Sequence, residues 1–229
     1  MLLKNDNSTP HLATEYDEQI QKTVPYYNKF HEETINLIST YNPQPKVWLD
    51  TECGTGLFIE KCIHQFLNTT FILSDPSKEM MAIAKGKFID NNRVLFLEPT
   101  KTEDISVEVL DTPDVITAIQ AHHYLSASDR LKATKVCFDL LNSDGIFISF
   151  ENISPMTQRG IDIGKKNWGN YQLSMGKTKE QIENHLAGFG NEYFPITIEE
   201  HLKLYRNCGF RSVEILWYSY MQAGFFCIK

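Results

Sequence analysis

Three groups of residues in this 229-residue chain have types and spacing that could do chemistry. The first is Asp50-Thr51-Glu52-Cys53-Gly54-Thr55-Gly56, which follows the apolar run Val47-Trp48-Leu49 and precedes a segment with helical apolar spacing. Gly54 and Gly56 permit positive φ and close backbone approach, and the helix start offers unpaired N–H groups, so the turn suits a nucleotide or aminoacyl ligand. A GxG after a strand is equally what a tight turn without a ligand looks like. The second is Asp75, at the end of the next apolar run, where a carboxylate can accept two hydrogen bonds from ribose hydroxyls or simply be a solvated loop acid. The third is the pair His122-His123, after a fourth apolar run. Either histidine could act as a general base near neutral pH or be packed as structure. No third ligand accompanies them at metal-site spacing, so no metal is expected.

Those groups need a scaffold, and the apolar patterning supplies one. Short runs at 47–50, 70–74, 93–97, 114–120 and 145–151 read as strands. They alternate with helical segments at 57–66, 78–89 and 127–141. That alternation predicts a doubly wound α/β fold with a mostly parallel sheet, whose ligands bind at the carboxyl ends of the strands. The rhythm breaks after residue 151. Residues 153–195 are rich in Gly, Asn and aromatic residues, carry one helix-like stretch at 178–186, and read as an inserted cap. A helix at 197–208 follows, opened by a capping box of Thr197 and Glu200 and ended by Gly209. Two closing strands, 212–220 and 223–229, predict an antiparallel hairpin turning around Met221-Gln222. The division expected is 1–43 as an N-terminal helical lid and 44–229 as the α/β domain.

Residues 49–56 resemble the first motif, DxGxGxG, of class I S-adenosylmethionine (SAM)-dependent methyltransferases, and Asp75-Pro76-Ser77-Lys78-Glu79-Met80 resembles the second. Residues 114–125 resemble the fourth, with a His pair common in small-molecule members. The resemblance covers 16–229, with carboxy-SAM synthase as a near neighbour. It implies a seven-stranded sheet in the order 3-2-1-4-5-7-6, SAM as cofactor, S-adenosylhomocysteine as product, and methyl transfer to a small molecule. By motif position Asp50, Cys53, Gly54 and Gly56 would meet the methionine part, Asp75 the ribose, and Pro76 and Met80 the adenine. Gln120 and Ala121 would lie beside the sulfonium. Glu52 stands where the family has its first motif glycine, and either turns outward or pairs with the ligand's ammonium. Thr100 stands where many members place an Asp for the adenine amine. Tyr16 and Tyr26 are the lid candidates. Trp168, Tyr171, Tyr193 and Phe194 would line an aromatic acceptor site or form the cap's own core. The alternatives are a SAM-binding protein with weak or altered chemistry, carboxy-SAM synthase-like or regulatory, and a NAD-dependent oxidoreductase. The last lacks its GxGxxG after Asp50.

Composition narrows the classes further. A hydrophobic content of 42% with 12% aromatic residues provides for a sizeable core, and a net charge of -7 argues against nucleic acid or an anionic membrane as partner. A small molecule is therefore the expected partner, with the chain a monomer or homodimer. Five widely spaced cysteines suit the reduced state of a cytoplasm. No apolar run approaches the ~20 residues that span a bilayer.

Overall fold

The computed structural model describes residues 9–106 and 112–229. Its sheet has seven strands in the order β3-β2-β1-β4-β5-β7-β6. The strands are β1 (Val47–Asp50), β2 (Thr70–Leu73), β3 (Val94–Phe96), β4 (Val115–Ile119), β5 (Ile146–Asn152), β6 (Ser212–Ser219) and β7 (Gln222–Ile228). β1 pairs in parallel with β2 and β4, and β4 in parallel with β5. Every residue of β4 and β5 is buried, as expected of strands covered on both faces. The final hairpin is antiparallel to β5 as the sequence predicts. Its two-residue turn is Tyr220-Met221, one position earlier than expected, with Tyr220 at φ 52°. Gly224 lies on β7 because a Cβ there would come within 2.4 Å of the Phe150 ring.

Helices α1 (Tyr16–Thr23) and α2 (Tyr27–Tyr41) precede the sheet; α3 (Leu57–Cys62), α4 (Lys78–Lys87) and α5 (Ala127–Leu140) alternate with its strands. Two apolar cores result. One contains Trp48, Phe58, Phe71 and Phe150 under α2 and α3, and the other contains Ile116, Phe147, Tyr205 and Phe225 under α5 and the later helix α8 (Ile198–Cys208). Thr197 and Glu200 make the predicted capping box of α8, and Gly209 closes it at φ 111°.

Residues 153–195 contain two helices, where the sequence suggests one. Beside α7 (Lys179–Ala187), the longer α6 (Gln158–Ser174) was hidden by Gly160, Gly164 and Gly169, which lower local helix propensity. Tertiary packing explains two of them. A Cβ at Gly164 would stand 2.9 Å from Met221 Sδ, and one at Gly169 would stand 3.2 Å from Ile182 Cγ2. The glycines let α6 lie close to the hairpin and to α7, and burial there outweighs propensity.

Candidate functional site

The site forms at the carboxyl ends of β1, β2 and β4. After β1 the backbone turns through Cys53, whose N–H donates to Ser74 O at 2.9 Å, and through Gly54 at φ 54°. Gly56, at φ 78°, is the N-cap of α3, and a Cβ there would strike Phe88 at 2.7 Å. Gly54 instead faces open space, since its notional Cβ would meet only Tyr16 Cε1, 3.9 Å away. Asp75 holds this turn in place. Its Oδ2 accepts Gly54 N–H at 2.9 Å and its Oδ1 accepts Ser77 N–H at 2.8 Å. Asp75 also lines the cleft, so one residue both fixes the turn and presents a carboxylate to a ligand.

The resulting cleft is lined by Glu52, Gly54, Asp75, Pro76, Met80 and Gln120, which brings together six residues singled out from sequence. Tyr16 and Tyr124 close it from above and from the β4 side. Glu52 turns inward, and Thr102 Oγ1 donates to its Oε1 at 3.3 Å. Burial, and secondarily the nearby Asp75 charge, hold the Glu52 carboxyl well above its usual range. Asp50 is 2% exposed, and its Oδ1 has no hydrogen-bond partner. Burial, with a smaller contribution from Asp75, pushes its carboxyl up to about 7 against the hydrogen bond from Thr117. None of the described residues lining the cleft is basic. Glu52 and Asp75 in the lining suit a ligand that brings positive charge and N–H donors, whereas Asp50 is buried and is not among the residues lining the cleft.

Gln120 ends β4 in the left-handed region, at φ 59°. A non-glycine residue there costs of the order of 1 kcal/mol and persists only when its surroundings hold it. Here the Gln120 N–H donates to Phe150 O at 2.6 Å, which aims the following backbone at the cleft.

The histidine pair does not reach the cleft. His122 and His123 are each 1% exposed, too enclosed to exchange a proton with an acceptor. They belong to a network on the neighbouring strand. Glu151 Oε2 accepts from His123 Nδ1 at 2.8 Å and from His123 N–H at 2.9 Å, and its Oε1 accepts from Ser149 Oγ at 2.6 Å. With Nδ1–H directed at the carboxylate, His123 Nε2 is left to accept from Asn152 Nδ2 at 3.1 Å. Burial alone would raise the Glu151 carboxyl, but the His123 hydrogen bond and the adjacent imidazoles bring it down to about 2. His122 stacks on Phe147, and burial lowers its imidazole to about 4. The pair fixes the backbone after Gln120.

Other expected positions also fall elsewhere. Thr100 gives its carbonyl to Ser74 Oγ and does not line the cleft; Thr102 is the loop residue that reaches Glu52. Cys53 and Ala121 are buried in the cores. Tyr26 is half exposed and packs on Trp217 and Tyr220, away from the cleft. Trp168 is fully buried with its Nε1–H donating to Thr23 O, and Tyr171 Oη donates to Gln21 O, so both tie α6 to α1. Phe194 is exposed, and Tyr193 lines a cavity.

That cavity, of about 530 Å³, lies between α1, α6 and α7. Tyr124 lines both it and the cleft, and a small void bordered by His11, Thr23 and Gln120 lies between them. Its other walls include Gln19, Gln172, Lys177 and His185. Sequence reasoning missed these polar residues because no motif joins positions 19, 172 and 177. Tyr124 was within sight, one residue beyond the His pair.

Residues 49–147 match the model of a family described as a methyltransferase domain. The carboxy-S-adenosyl-L-methionine synthase of Nautilia profundicola is 23% identical over 207 residues, covering 90% of this chain and 87% of that protein. The enzyme of the same name from Campylobacter lari is 25% identical over 207 residues, covering 89% and 86%. The plantazolicin methyltransferase BpumL, solved with a triazolic desmethyl analogue and SAH, superposes with a TM-score of 0.70 at 15% identity, over 95% of this chain and 89% of that one.

Proposed function

We propose that this chain, which has the class I SAM-dependent methyltransferase fold, binds SAM in the β1–β2–β4 cleft and transfers its methyl group to a small molecule held in the adjoining cavity. The observation that carries the reading is the pairing of an acidic, glycine-floored cleft with a separate polar cavity, joined at Tyr124. The donor set fits the cofactor. Asp75 would accept the ribose hydroxyls and Met80 and Pro76 would flank adenine, in a cleft whose Glu52 and Asp75 lining suits the positive charge of the cofactor. Bound SAM supplies an electrophilic methyl on a sulfonium, so the protein's task is to orient the acceptor, and orientation can lower a barrier by several kcal/mol. Gln120 and Tyr124 stand at the junction where the acceptor must present its nucleophilic atom.

The free space in the cleft is about 50 Å³, below the few hundred cubic ångströms that small-molecule sites enclose. Thr9 and Tyr16 are the groups that fill it from the N-terminal side, so this stretch withdraws to admit the ligand and returns over it. That motion deepens the lid role of Tyr16 and leaves Tyr26 outside it.

A second reading, formation of a carboxylated SAM, is favoured by the names of the curated relatives. Against it, the cleft offers Glu52 and Asp75 and, among the described residues, no basic lining group, which suits a methyl sulfonium better than one bearing an added carboxylate. Calorimetric titration with SAM, followed by mass spectrometry of the cofactor after incubation with candidate methyl acceptors and, separately, with carboxylic acids able to give up CO2 as the carboxyl source, tests both readings. Demethylated cofactor supports methyl transfer, a cofactor heavier by one carboxyl group supports the second reading, and absence of SAM binding defeats both.

A further inference from the structure

Lys177 is 8% exposed, lines the large cavity, and enters no ion pair among the described residues. Among the described residues its Nζ donates once, to Gln19 Oε1 at 3.1 Å. An ammonium has three donors, so two remain for the cavity. Leaving a buried cation unpaired is unfavourable, and an anion in the adjacent space would relieve it. On the same wall Gln172 is fully buried. Its Nε2 pairs with His185 Nδ1 at 3.0 Å, while its Oε1 has no partner among the described residues. That amide orientation leaves an acceptor in need of a donor, and it leaves His185 Nε2 as a further donor in the neutral ring. The acidic residues of the cavity, Glu15 and Glu192, are exposed and stand at its rim.

We propose that the cavity selects a small organic anion, a carboxylate-bearing acceptor whose acid group pairs with Lys177 and whose hydroxyl or amine donates to Gln172 Oε1. The proposal rests on the cavity being the acceptor site, and it adds the chemical class of that acceptor. It also separates the two halves of the reaction centre by charge. The cleft at Glu52 and Asp75 draws a cation, while the floor of the cavity draws an anion. The cavity therefore rejects the positively charged cofactor, and the cleft rejects the acceptor.

The test compares 4-hydroxybenzoate with 4-hydroxybenzamide, which share a shape and a phenol and differ in the charge of one group. Binding of each is measured by ligand-observed NMR and calorimetry on the full chain saturated with S-adenosylhomocysteine. The carboxylate is expected to bind about tenfold or more tightly than the amide, the scale of a hydrogen bond to a charged group. Lys177→Gln should remove that preference, and Lys177→Arg should keep most of it. Thermal denaturation and S-adenosylhomocysteine affinity confirm that each variant is folded with an intact cleft. Equal binding of the two probes, no binding of the carboxylate at millimolar concentration, or a preference that survives Lys177→Gln would overturn the proposal. Failure of the cofactor to bind, with the anion preference intact, would instead count against the methyltransferase reading alone.

Discussion

Two carboxylate clusters stand at the carboxyl ends of adjacent parts of the sheet, and their hydrogen bonding differs. Around Glu151 the carboxylate is fully enclosed and accepts donors from His122, His123 and Ser149. Asp50 and Asp75 are also buried and Glu52 is half-buried, yet among the described residues Asp50 Oδ1 lacks a partner, and the Asp50 and Glu52 carboxyls are pushed upward. A satisfied buried carboxylate is a structural brace, whereas an unsatisfied one is a place kept for something that brings donors and charge. This contrast fits a structural role for the histidines and the proposed ligand-binding role for the acids, the reverse of what residue type alone suggests.

The largest effect that could break this contrast is on the brace. Glu151→Gln replaces an acceptor-only group with an amide that cannot receive all of its donors. We expect a loss of about 3 kcal/mol of stability, read by chemical denaturation. A variant as stable as the parent would show that the network is not a brace. In the cleft, Asp75→Ala removes both the proposed ribose acceptor and the clamp on Gly54 N–H. SAM affinity should fall by about 1–3 kcal/mol with a smaller change in stability, and unchanged affinity by calorimetry would remove Asp75 from the site.

The smallest effect sharpens the electrostatics. Asp50 is held above its ordinary value in the free protein, so it retains a proton as pH rises through the usual carboxylate range and loses it near 7. A raised carboxylate contributes stability at low pH that is lost as pH climbs toward about 7. A cationic ligand in the neighbouring cleft favours the ionised form, so SAM binding should tighten between about pH 6 and about pH 8 and release a proton. Calorimetry in two buffers of different ionisation enthalpy reads that proton. Glu52→Gly should bind SAM at least as tightly as the parent, because the Glu52 carboxyl attracts the ammonium and repels the cofactor carboxylate by similar amounts. Loss of binding in that variant would make Glu52 a required contact.

Much of this was legible before any tertiary structure. The alternation of strands and helices, the capping box at Thr197, the hairpin, and the placement of Gly54 and Asp75 at strand ends all follow from patterns within a few residues, where φ/ψ preference and apolar period are encoded. Tertiary structure alone decided which polar groups are satisfied and which face a cavity. It buried His122 and His123 against Glu151, 28 residues away from the second of them, turned Glu52 inward, and formed α6 despite its glycines. It also placed Lys177 beside Gln19, 158 residues apart in sequence. Local sequence sets backbone conformation, but the partners that satisfy or orphan a buried charge come from distant segments, and no short-range pattern records them.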